Sequence, residues 1–185
     1  MFTGIVQAVG RILRVRPLEI EARALDLGDV AVGDSICVQG VCLTVTTLTA
    51  RGFTADVSDE TLRVTTGLDR PGDVNLEKSL ALGGKLGGHL VSGHVDGVGE
   101  VIARNDTVVA FRVPALLSKY VAAKGSICVD GVSLTVNRVE ADVFEVNLIP
   151  HTLAATTLAR LAPGSRVNLE VDLIARYVER VLAER

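Results

Sequence analysis

The 185-residue chain is poor in aromatic side chains and carries no excess of positive charge. Tryptophan is absent, aromatic residues make up 3% of the sequence, and the formal net charge at pH 7 is −3. Proteins that bind nucleic acids usually present a basic face and aromatic rings that stack on bases. The composition therefore argues against a nucleic-acid-binding protein.

Long apolar runs and paired cysteines are also lacking. No apolar run reaches the roughly 20 residues that a membrane-spanning helix needs, and residues 1–15 lack the basic-then-apolar pattern of a secretion signal. The three cysteines, Cys37, Cys42 and Cys128, form no Cys-x-x-Cys pair. Cys37 and Cys128 lie in apolar runs, where a free cysteine behaves as a small hydrophobic residue. These features predict a reduced, cytoplasmic protein with no membrane partner.

The dominant feature of the sequence is an internal repeat. Residues 34–45 read DSICVQGVCLTV and residues 125–136 read GSICVDGVSLTV, an offset of 91 (125 − 34). Each copy has two β-rich runs joined by Gln39-Gly40 or Asp130-Gly131, which is typical of a hairpin with a primed turn. Because self-similarity at a fixed offset indicates repeated architecture, the sequence predicts two halves built around the same hairpin.

Other segments repeat in the same order. Phe2–Ile12 is echoed by Val91–Val101, and DVNLE (73–77) is echoed by RVNLE (166–170). With further β-like runs at 18–25, 52–57, 107–113 and 143–148, each half has about six short strands, which normally close into a barrel. The predicted fold class is all-β, with two tandem, similar six-stranded antiparallel (Greek-key) β-barrels and a C-terminal α-helix. The predicted divisions are a first barrel over 1–88 ending in the glycine-rich link 83–88, a second over 89–171, a helix over 172–185, helical turns at 58–66 and 150–157, and a short helix after Pro114.

The C-terminal segment has no counterpart in the first half. Asp172 is a good N-cap, and apolar residues follow at the spacing of one helix face. These residues are Ile174, Tyr177, Val178, Val181 and Leu182. The stripe predicts a helix that either packs on its own barrel or associates with the same helix in other subunits.

The candidate chemistry lies at positions that differ between the repeats, because no zinc or nucleotide motif is present and no metal is expected. His94 replaces Ile5, and histidine is a residue type that often serves as a general acid or base, although a lone histidine can also be structural. Cys42 stands opposite Ser133, and it is either a nucleophile or a packed thiol.

Five segments together strongly resemble the riboflavin synthase family (alpha-subunit type) over essentially the whole chain. They are MFTGIVQ, the pair GVCLTV and DGVSLTV, GGHLVSGHVDGVGEV, and LIPHTL. The resemblance implies a homotrimer held largely by the C-terminal helices, with possible association with a lumazine synthase capsid. It also implies a transferase without a cofactor, in which two molecules of 6,7-dimethyl-8-ribityllumazine give riboflavin and 5-amino-6-(D-ribitylamino)uracil by four-carbon transfer.

In the family, one substrate lies on the N-terminal barrel of one subunit and the other on the C-terminal barrel of its neighbour. The implied catalytic residues are His94, which would move a proton from the acidic C7 methyl group, and Ser133, Thr135 and Cys42, which would position the rings and assist nucleophile addition. Substrate-binding residues implied in the first half are Gly4, Ile5, Val6, Leu43, Thr44, Asp56, Val57, Ser58, Asp59, Glu60 and Thr61. Those implied in the second half are Gly93, Val95, Lys124, Leu134, Asn147, Leu148, Ile149, Pro150, His151 and Thr152, while Phe2, Ser35 and Asp172 match positions at or near the site.

Two other classes of protein share parts of this pattern. One is a non-catalytic lumazine- or flavin-binding antenna of the lumazine-protein type, and the other is a structural barrel with no ligand. A barrel without a ligand does not explain matched polar positions in both repeats. Both halves also retain the Gly-x-Val and Leu-Thr-Val segments, together with all four catalytic candidates, which favours the enzyme.

Overall fold

The computed structural model describes residues 1–183, so the last two residues of the predicted helix lie outside the described chain. The first barrel consists of β1 (Ala8–Val15), β2 (Leu18–Glu21), β3 (Ser35–Val38), β4 (Val41–Thr49), β5 (Gly52–Ala55) and β6 (Gly72–Lys78). The second consists of β7 (Gly97–Asn105), β8 (Val108–Arg112), β9 (Ser126–Val129), β10 (Val132–Glu140), β11 (Val143–Asn147) and β12 (Arg166–Val171). The helices are α1 (Asp59–Val64), α2 (Pro150–Ala155) and α3 (Leu173–Leu182), with 3₁₀ turns at Ala115–Tyr120 and Thr157–Arg160.

Both barrels are closed, antiparallel and identical in topology. The strand order is β1-β2-β5-β4-β3-β6 in the first and, in equivalent order, β7-β8-β11-β10-β9-β12 in the second. Strands β3, β4 and β5 follow one another as hairpins, and β6 returns to lie beside β3, which is a Greek key. The predicted fold class is therefore confirmed.

The two repeated hairpins turn as the sequence predicts. Gln39 and Gly40 have φ values of 52° and 85°, and Asp130 and Gly131 have 50° and 81°. Two successive positive φ values define the type I′ turn, whose twist matches that of antiparallel strands. The turns contact each other, since a Cβ on Gly40 would lie 2.9 Å from the backbone nitrogen of Gly131. The repeated turns thus form part of the contact between the two barrels.

The segments before β1 and β7 differ from the prediction. Strands were expected to begin at Phe2 and Val91, but the barrel strands begin at Ala8 and Gly97, and the earlier residues share only the bridge between Phe2 and Val91. Gly4 and Gly93 have φ values of 74° and 79°, which interrupt the extended backbone. We call residues 1–7 the first arm and residues 89–96 the second arm.

Each arm packs on the barrel of the other repeat. Val6 of the first arm contacts the core of the second barrel, and Val95 of the second arm contacts the core of the first. Phe2 and Val91 are buried between the halves with Cys37 and Cys128. The core of each closed barrel thus also packs against a residue from the other repeat, and the predicted division at residue 88 stays a prediction.

Matched asparagines also join the barrels. Asn75 Nδ2 donates to the carbonyl of Asp130 at 2.9 Å, and Asn168 Nδ2 donates to the carbonyl of Gln39 at 2.9 Å. The Asn75 and Asn168 side chains are each about 1% exposed, so these hydrogen bonds satisfy groups that would otherwise be buried without partners. The reciprocal contacts fix the two hairpin turns against each other.

Helix α3 is attached by its polar side. Arg176 Nη2 lies 2.7 Å from Asp96 Oδ1, and Glu179 accepts hydrogen bonds from Lys119 and from the Tyr120 hydroxyl. The apolar stripe is exposed, with Ile174, Tyr177, Val178, Val181 and Leu182 each 51–65% accessible. Packing of the stripe on its own barrel, one of the two expectations, is therefore wrong. No helix within residues 1–183 is long and apolar enough to cross a membrane.

Candidate active site

The polar candidates lie on the outer faces of β4 and β10. Along β4 the side chains of Val41, Leu43 and Val45 enter the core, so Cys42 and Thr44 face outward, as the two-residue period of a strand requires. The same alternation on β10 turns Ser133 and Thr135 outward. The hairpin repeat thus presents one short polar pair on the surface of each barrel.

The arms complete these faces in a crossed manner. The backbone nitrogen of Cys42 donates to the carbonyl of Gly93 at 2.8 Å, and that of Ser133 donates to the carbonyl of Gly4 at 2.7 Å. His94 is therefore adjacent to the Cys42 face of the first barrel, and Ile5 is adjacent to the Ser133 face of the second. The arms therefore exchange: Gly4, from the first half of the sequence, lies against the second barrel, and Gly93, from the second half, lies against the first.

The first site, on the β4 face, gathers the second arm and the segment that follows β5. Ala55 pairs with Val45, so Asp56 and the residues after it emerge beside Thr44. Ser35 is the strand partner of Thr44. The following α1 is capped by Ser58, whose hydroxyl accepts from the Thr61 nitrogen at 3.0 Å. Asp59 pairs with Arg16, and Glu60 pairs with Arg63, whose hydrogen bonds lower the pKa of Glu60.

The second site, on the β10 face, gathers the first arm, Lys124 and the segment after β11. Val146 pairs with Val136, which places Asn147 near the end of the Ser133–Thr135 face. Lys124 reaches the same strand end, because its nitrogen donates to the carbonyl of Val136 at 2.8 Å. Pro150 begins α2, and the exposed His151 and partly buried Thr152 follow in its first turn.

Four of the predicted substrate contacts have buried side chains. Leu43, Leu134 and Leu148 lie in the barrel cores, and Phe2 is fully buried between the halves. Their side chains cannot touch a ligand bound on the outer faces, so they stay predictions for backbone contacts only. Val57 is partly buried against the first core. Ile5, Ile149, Asp56 and Asn147 are exposed and available.

His89 is a site residue that the sequence reasoning missed. Its Nδ1 lies 2.7 Å from Ser133 Oγ, the ring is 8% exposed, and Nε2 has no hydrogen-bond partner within residues 1–183. Burial lowers the pKa of His89, while the nearby carboxylate of Asp172 opposes that shift. The ring is thus held mainly neutral at pH 7. Comparing repeats could not reveal it, because an offset of 89 leaves His89 without a counterpart in the chain.

The three thiols have different surroundings. Cys37 and Cys128 are fully enclosed, and desolvation raises the pKa of each well above its usual 9.0, as expected for packed structural cysteines. Cys42 is partly exposed beside Gly93. Among the described cysteines only Cys42 can meet a ligand.

Lys124 adopts a backbone conformation that disfavours a side chain. Its φ is 69°, and the matching position of the first repeat is Gly33 with φ 98°. A non-glycine residue in this region costs about 1 kcal/mol or more, and such strain persists mostly where it serves a site. That Lys124 contacts the substrate stays a prediction.

Replacing Lys124 by glycine should separate stability from binding. We expect the free energy of unfolding to rise by about 1 kcal/mol because the strain is relieved, and the KM for the ligand to rise several-fold because the ammonium group is lost. Urea unfolding and steady-state kinetics measure the two effects. Lys85→Gly, in the exposed glycine-rich link, is the control for losing a lysine elsewhere; an unchanged KM in Lys124→Gly would remove Lys124 from the site.

The fold defines a class of tandem-repeat protein: two like barrels, each with a polar strand face completed by an arm of the other repeat. The Lumazine binding domain family model matches residues 3–79 and 92–172. The solved structures of LumP complexed with riboflavin and with 6,7-dimethyl-8-(1'-D-ribityl) lumazine are similar, with TM-scores of 0.81 and 0.77 and identities of 26% and 27%. Each comparison covers 92% of this chain and 99% of the other.

Curated relatives identify one family within this class of tandem-repeat protein. Riboflavin synthase of Mycobacterium bovis is 51% identical, covering 98% of both chains. Riboflavin synthases of Photobacterium phosphoreum and Bacillus subtilis are 46% and 42% identical, each covering 98% of this chain and 89% or 90% of the relative. The chain belongs to the riboflavin synthase family of lumazine-binding proteins. It is an enzyme, a transferase.

Proposed function

We propose that the chain catalyses the dismutation of two molecules of 6,7-dimethyl-8-ribityllumazine into riboflavin and 5-amino-6-(D-ribitylamino)uracil. The observation that carries the proposal is the pair of equivalent but non-identical sites, Cys42–Thr44 with His94 and Ser133–Thr135 with His89. A reaction between two copies of one molecule needs two similar pockets, and unequal roles for donor and acceptor need the pockets to differ. Membership of the riboflavin synthase family supports the same assignment.

The two substrates would meet between subunits. Thr44 and Thr135 are exposed on open barrel faces. The cavity of about 430 Å³ beside the first arm is lined by Ile5, Gln7 and Glu77. Because Ser133 does not line it, this cavity does not enclose the face of the second site. A face that is open in one chain can be closed by the opposing face of a neighbour, which stacks the rings and excludes water. Holding two reactants in register accounts for a large part of the rate, worth roughly 7–11 kcal/mol in favourable cases.

A homotrimer held by α3 is part of the proposal. The helix is tied to its own chain by Arg176 and Glu179, while its apolar stripe faces away. An exposed stripe of five large apolar residues is the usual mark of an association surface. Association with a lumazine synthase capsid rests on the family resemblance alone, and three free thiols support a cytoplasmic location.

The proton chemistry follows from the two histidines. Loss of a proton from the C7 methyl group leaves an anion delocalised over the ring, so a weak base and fixed hydrogen-bond donors are sufficient. His94 is exposed at the first site, where it would accept this proton. At the second site, neutral His89 would orient the Ser133 hydroxyl. The same ring nitrogen would accept a proton that reaches it through that hydroxyl. Cys42 and Thr135 would position the rings while the nucleophile adds to the partner substrate.

The deciding experiment is incubation of the purified protein with 6,7-dimethyl-8-ribityllumazine alone, followed by riboflavin absorbance. We expect riboflavin to form without any added cofactor, one molecule for every two lumazines consumed, because one substrate donates the four-carbon unit to the other. A Ser133→Ala, His94→Gln double variant is the matched control and should bind lumazine but turn over slowly. Tight binding with stable lumazine fluorescence and no riboflavin in the unmodified protein would show an antenna protein instead.

A further inference from the structure

A buried carboxylate holds the second arm. Glu170 on β12 is 3% exposed and accepts four hydrogen bonds from three consecutive residues. Its Oε1 accepts from the nitrogen and hydroxyl of Ser92, both at 2.6 Å. Its Oε2 accepts from the nitrogens of Gly93 at 2.8 Å and His94 at 3.0 Å. Both oxygens of one side chain therefore fix the backbone on either side of Gly93.

The first repeat contains the same device at Glu77 on β6. Glu77 accepts from the nitrogen and hydroxyl of Thr3, both at 2.7 Å, and from the nitrogen of Gly4 at 2.9 Å. Burial raises the pKa of Glu77, and the hydrogen bonds from Thr3 and Gly4 oppose that shift. Glu77 and Glu170 lie on equivalent strands, each holding the arm that crosses to the other barrel. The two arms differ in sequence and in the barrel that they reach. Only the arm held by Glu170 carries a histidine.

Glu170 and the barrel face that the second arm covers belong to different barrels. Glu170 belongs to the second barrel, whereas Gly93 contacts Cys42 on the first barrel. The nitrogen of Cys42 donates to the Gly93 carbonyl at 2.8 Å, so the peptide groups of Gly93 are held by Glu170 on one side and by β4 on the other. His94 directly follows this doubly held residue and has its own nitrogen on Glu170.

We propose that Glu170 is a positioning residue for the site on the first barrel: it fixes the arm that places His94 beside Cys42. The inference rests on the proposed function, since His94 matters only if that site is catalytic. A carboxylate is suited to this role because it is an acceptor only and can receive several N–H groups at once. A consequence is that the second barrel controls the geometry of the first site within one chain.

The first test reads the position of the arm without using activity. Cys42 is the one partly exposed thiol among the described cysteines, and the arm lies against it. Glu170→Gln places an amide N–H₂ donor against backbone donors, so the second arm should open more often. We expect dithionitrobenzoate to modify Cys42 about 10-fold faster in Glu170→Gln than in the unmodified protein, because modification follows local opening.

The matched control is Glu77→Gln. It makes the same chemical change in the equivalent strand but releases the first arm, which lies against Ser133. We expect the Cys42 modification rate in Glu77→Gln to stay within about twofold of the unmodified protein. Equal acceleration in both variants would show a general loosening, and no acceleration in Glu170→Gln would show that the arm does not need the carboxylate; either result overturns the proposal.

The second test asks whether Glu170 acts through His94. We expect turnover to fall about 100-fold in Glu170→Gln with a smaller change in KM, as for a misplaced reacting group. Adding His94→Gln should then cost much less than it costs in the unmodified protein, since both changes disable the same group. Multiplicative losses would show a purely structural role and contradict the inference.

Two safeguards keep the outcomes distinct. Ser92→Ala removes one of the four hydrogen bonds and should accelerate Cys42 modification in the same direction by a smaller factor, so it replaces Glu170→Gln if that variant does not fold. If the unmodified protein makes no riboflavin, the proposed function fails. The modification rates would then still decide whether Glu170 holds the arm.

Discussion

Replacing Gly93 by alanine should lower turnover by about 100-fold, because a displacement of about 1 Å at a reacting group is enough for a loss of this size. Gly93 has φ 79°, and an added Cβ would lie 2.6 Å from the Cβ and 2.7 Å from the backbone nitrogen of Cys42. No Cβ tolerates such contacts, and strand β4 cannot yield because Leu43 and Val45 anchor it in the core. The second arm must therefore move, and His94 moves with it.

The control for this substitution is Gly83→Ala. Gly83 has φ 84°, and a Cβ there meets nothing within 4 Å, so the variant has the backbone cost without the collision. We expect Gly83→Ala to lose about 1 kcal/mol of stability and to keep its turnover. Steady-state riboflavin formation and urea unfolding of both variants separate the two effects. Turnover in Gly93→Ala within threefold of Gly83→Ala would contradict the crossed-arm site.

The same steric test applies to the second site through Gly4. A Cβ on Gly4 would lie 2.6 Å from the Ser133 Cβ, the same separation as between Gly93 and Cys42. This agreement between the repeats explains why the arms could not be assigned from the sequence. A repeat pattern shows that two segments are equivalent, but not whether each stays with its own barrel or crosses to the other. Gly4 and Ser133 are 129 positions apart (133 − 4), and no local pattern records their contact.

The hairpins and barrels, in contrast, could be predicted because their causes are local. Positive φ at Gly40 and Gly131 needs glycine, and alternation along β4 and β10 puts apolar side chains on one face. Strands β6 and β12 break that alternation, since Asn75 and Glu77 are as buried as Leu76. Their second face is covered by the other repeat at Asn75 and Asn168, and by the arm of the same repeat at the two glutamates. The matched NLE segments in the sequence indicate this second contact, because a buried carboxylate in a strand needs hydrogen-bond donors from another part of the chain.

His89 marks the limit of the repeat comparison within the site. Cys42, His94, Ser133 and Thr135 were found because each could be compared with the other repeat or with the family pattern. His89 has no counterpart, and only the folded chain brings its ring to 2.7 Å from Ser133. Its lowered pKa comes from burial, which depends on how the second arm packs. Polar pairs of this kind are set by tertiary structure.

Replacing Asp130 by asparagine should stabilise the protein at about pH 8 by about 2 kcal/mol and have a much smaller effect near pH 5. Burial raises the pKa of Asp130 from 3.8 to about 7, although hydrogen bonds from Asn168 and Gln39 partly oppose the shift. The matching turn residue of the first repeat, Gln39, is neutral. An uncharged amide side chain is therefore compatible with the backbone of this turn.

The direction of the pH effect follows from the two states of the protein. In the unfolded chain Asp130 loses its proton near 3.8, whereas in the folded chain it keeps the proton up to about 7. The folded state is thus favoured by this group below about pH 4, and that contribution is lost as the pH rises through about 7. A shift of this size corresponds to about 4 kcal/mol as an upper limit. Asparagine recovers only part of it, because one of its amide hydrogens faces the Gln39 amide.

Urea unfolding at about pH 5 and about pH 8 measures the prediction as a difference between the two gains. Asp106→Asn is the control for the turn preference of asparagine, because Asp106 is exposed and has φ 53°, close to the 50° of Asp130. If Asp130→Asn raises the free energy of unfolding more than the control does only at the higher pH, burial of the ionised Asp130 carboxylate between the barrels destabilises the folded protein. Equal gains in the free energy of unfolding at both pH values would mean that Asp130 ionises alike in the folded and unfolded chain. Water would then have to reach Asp130 at the interface, where the structure buries it.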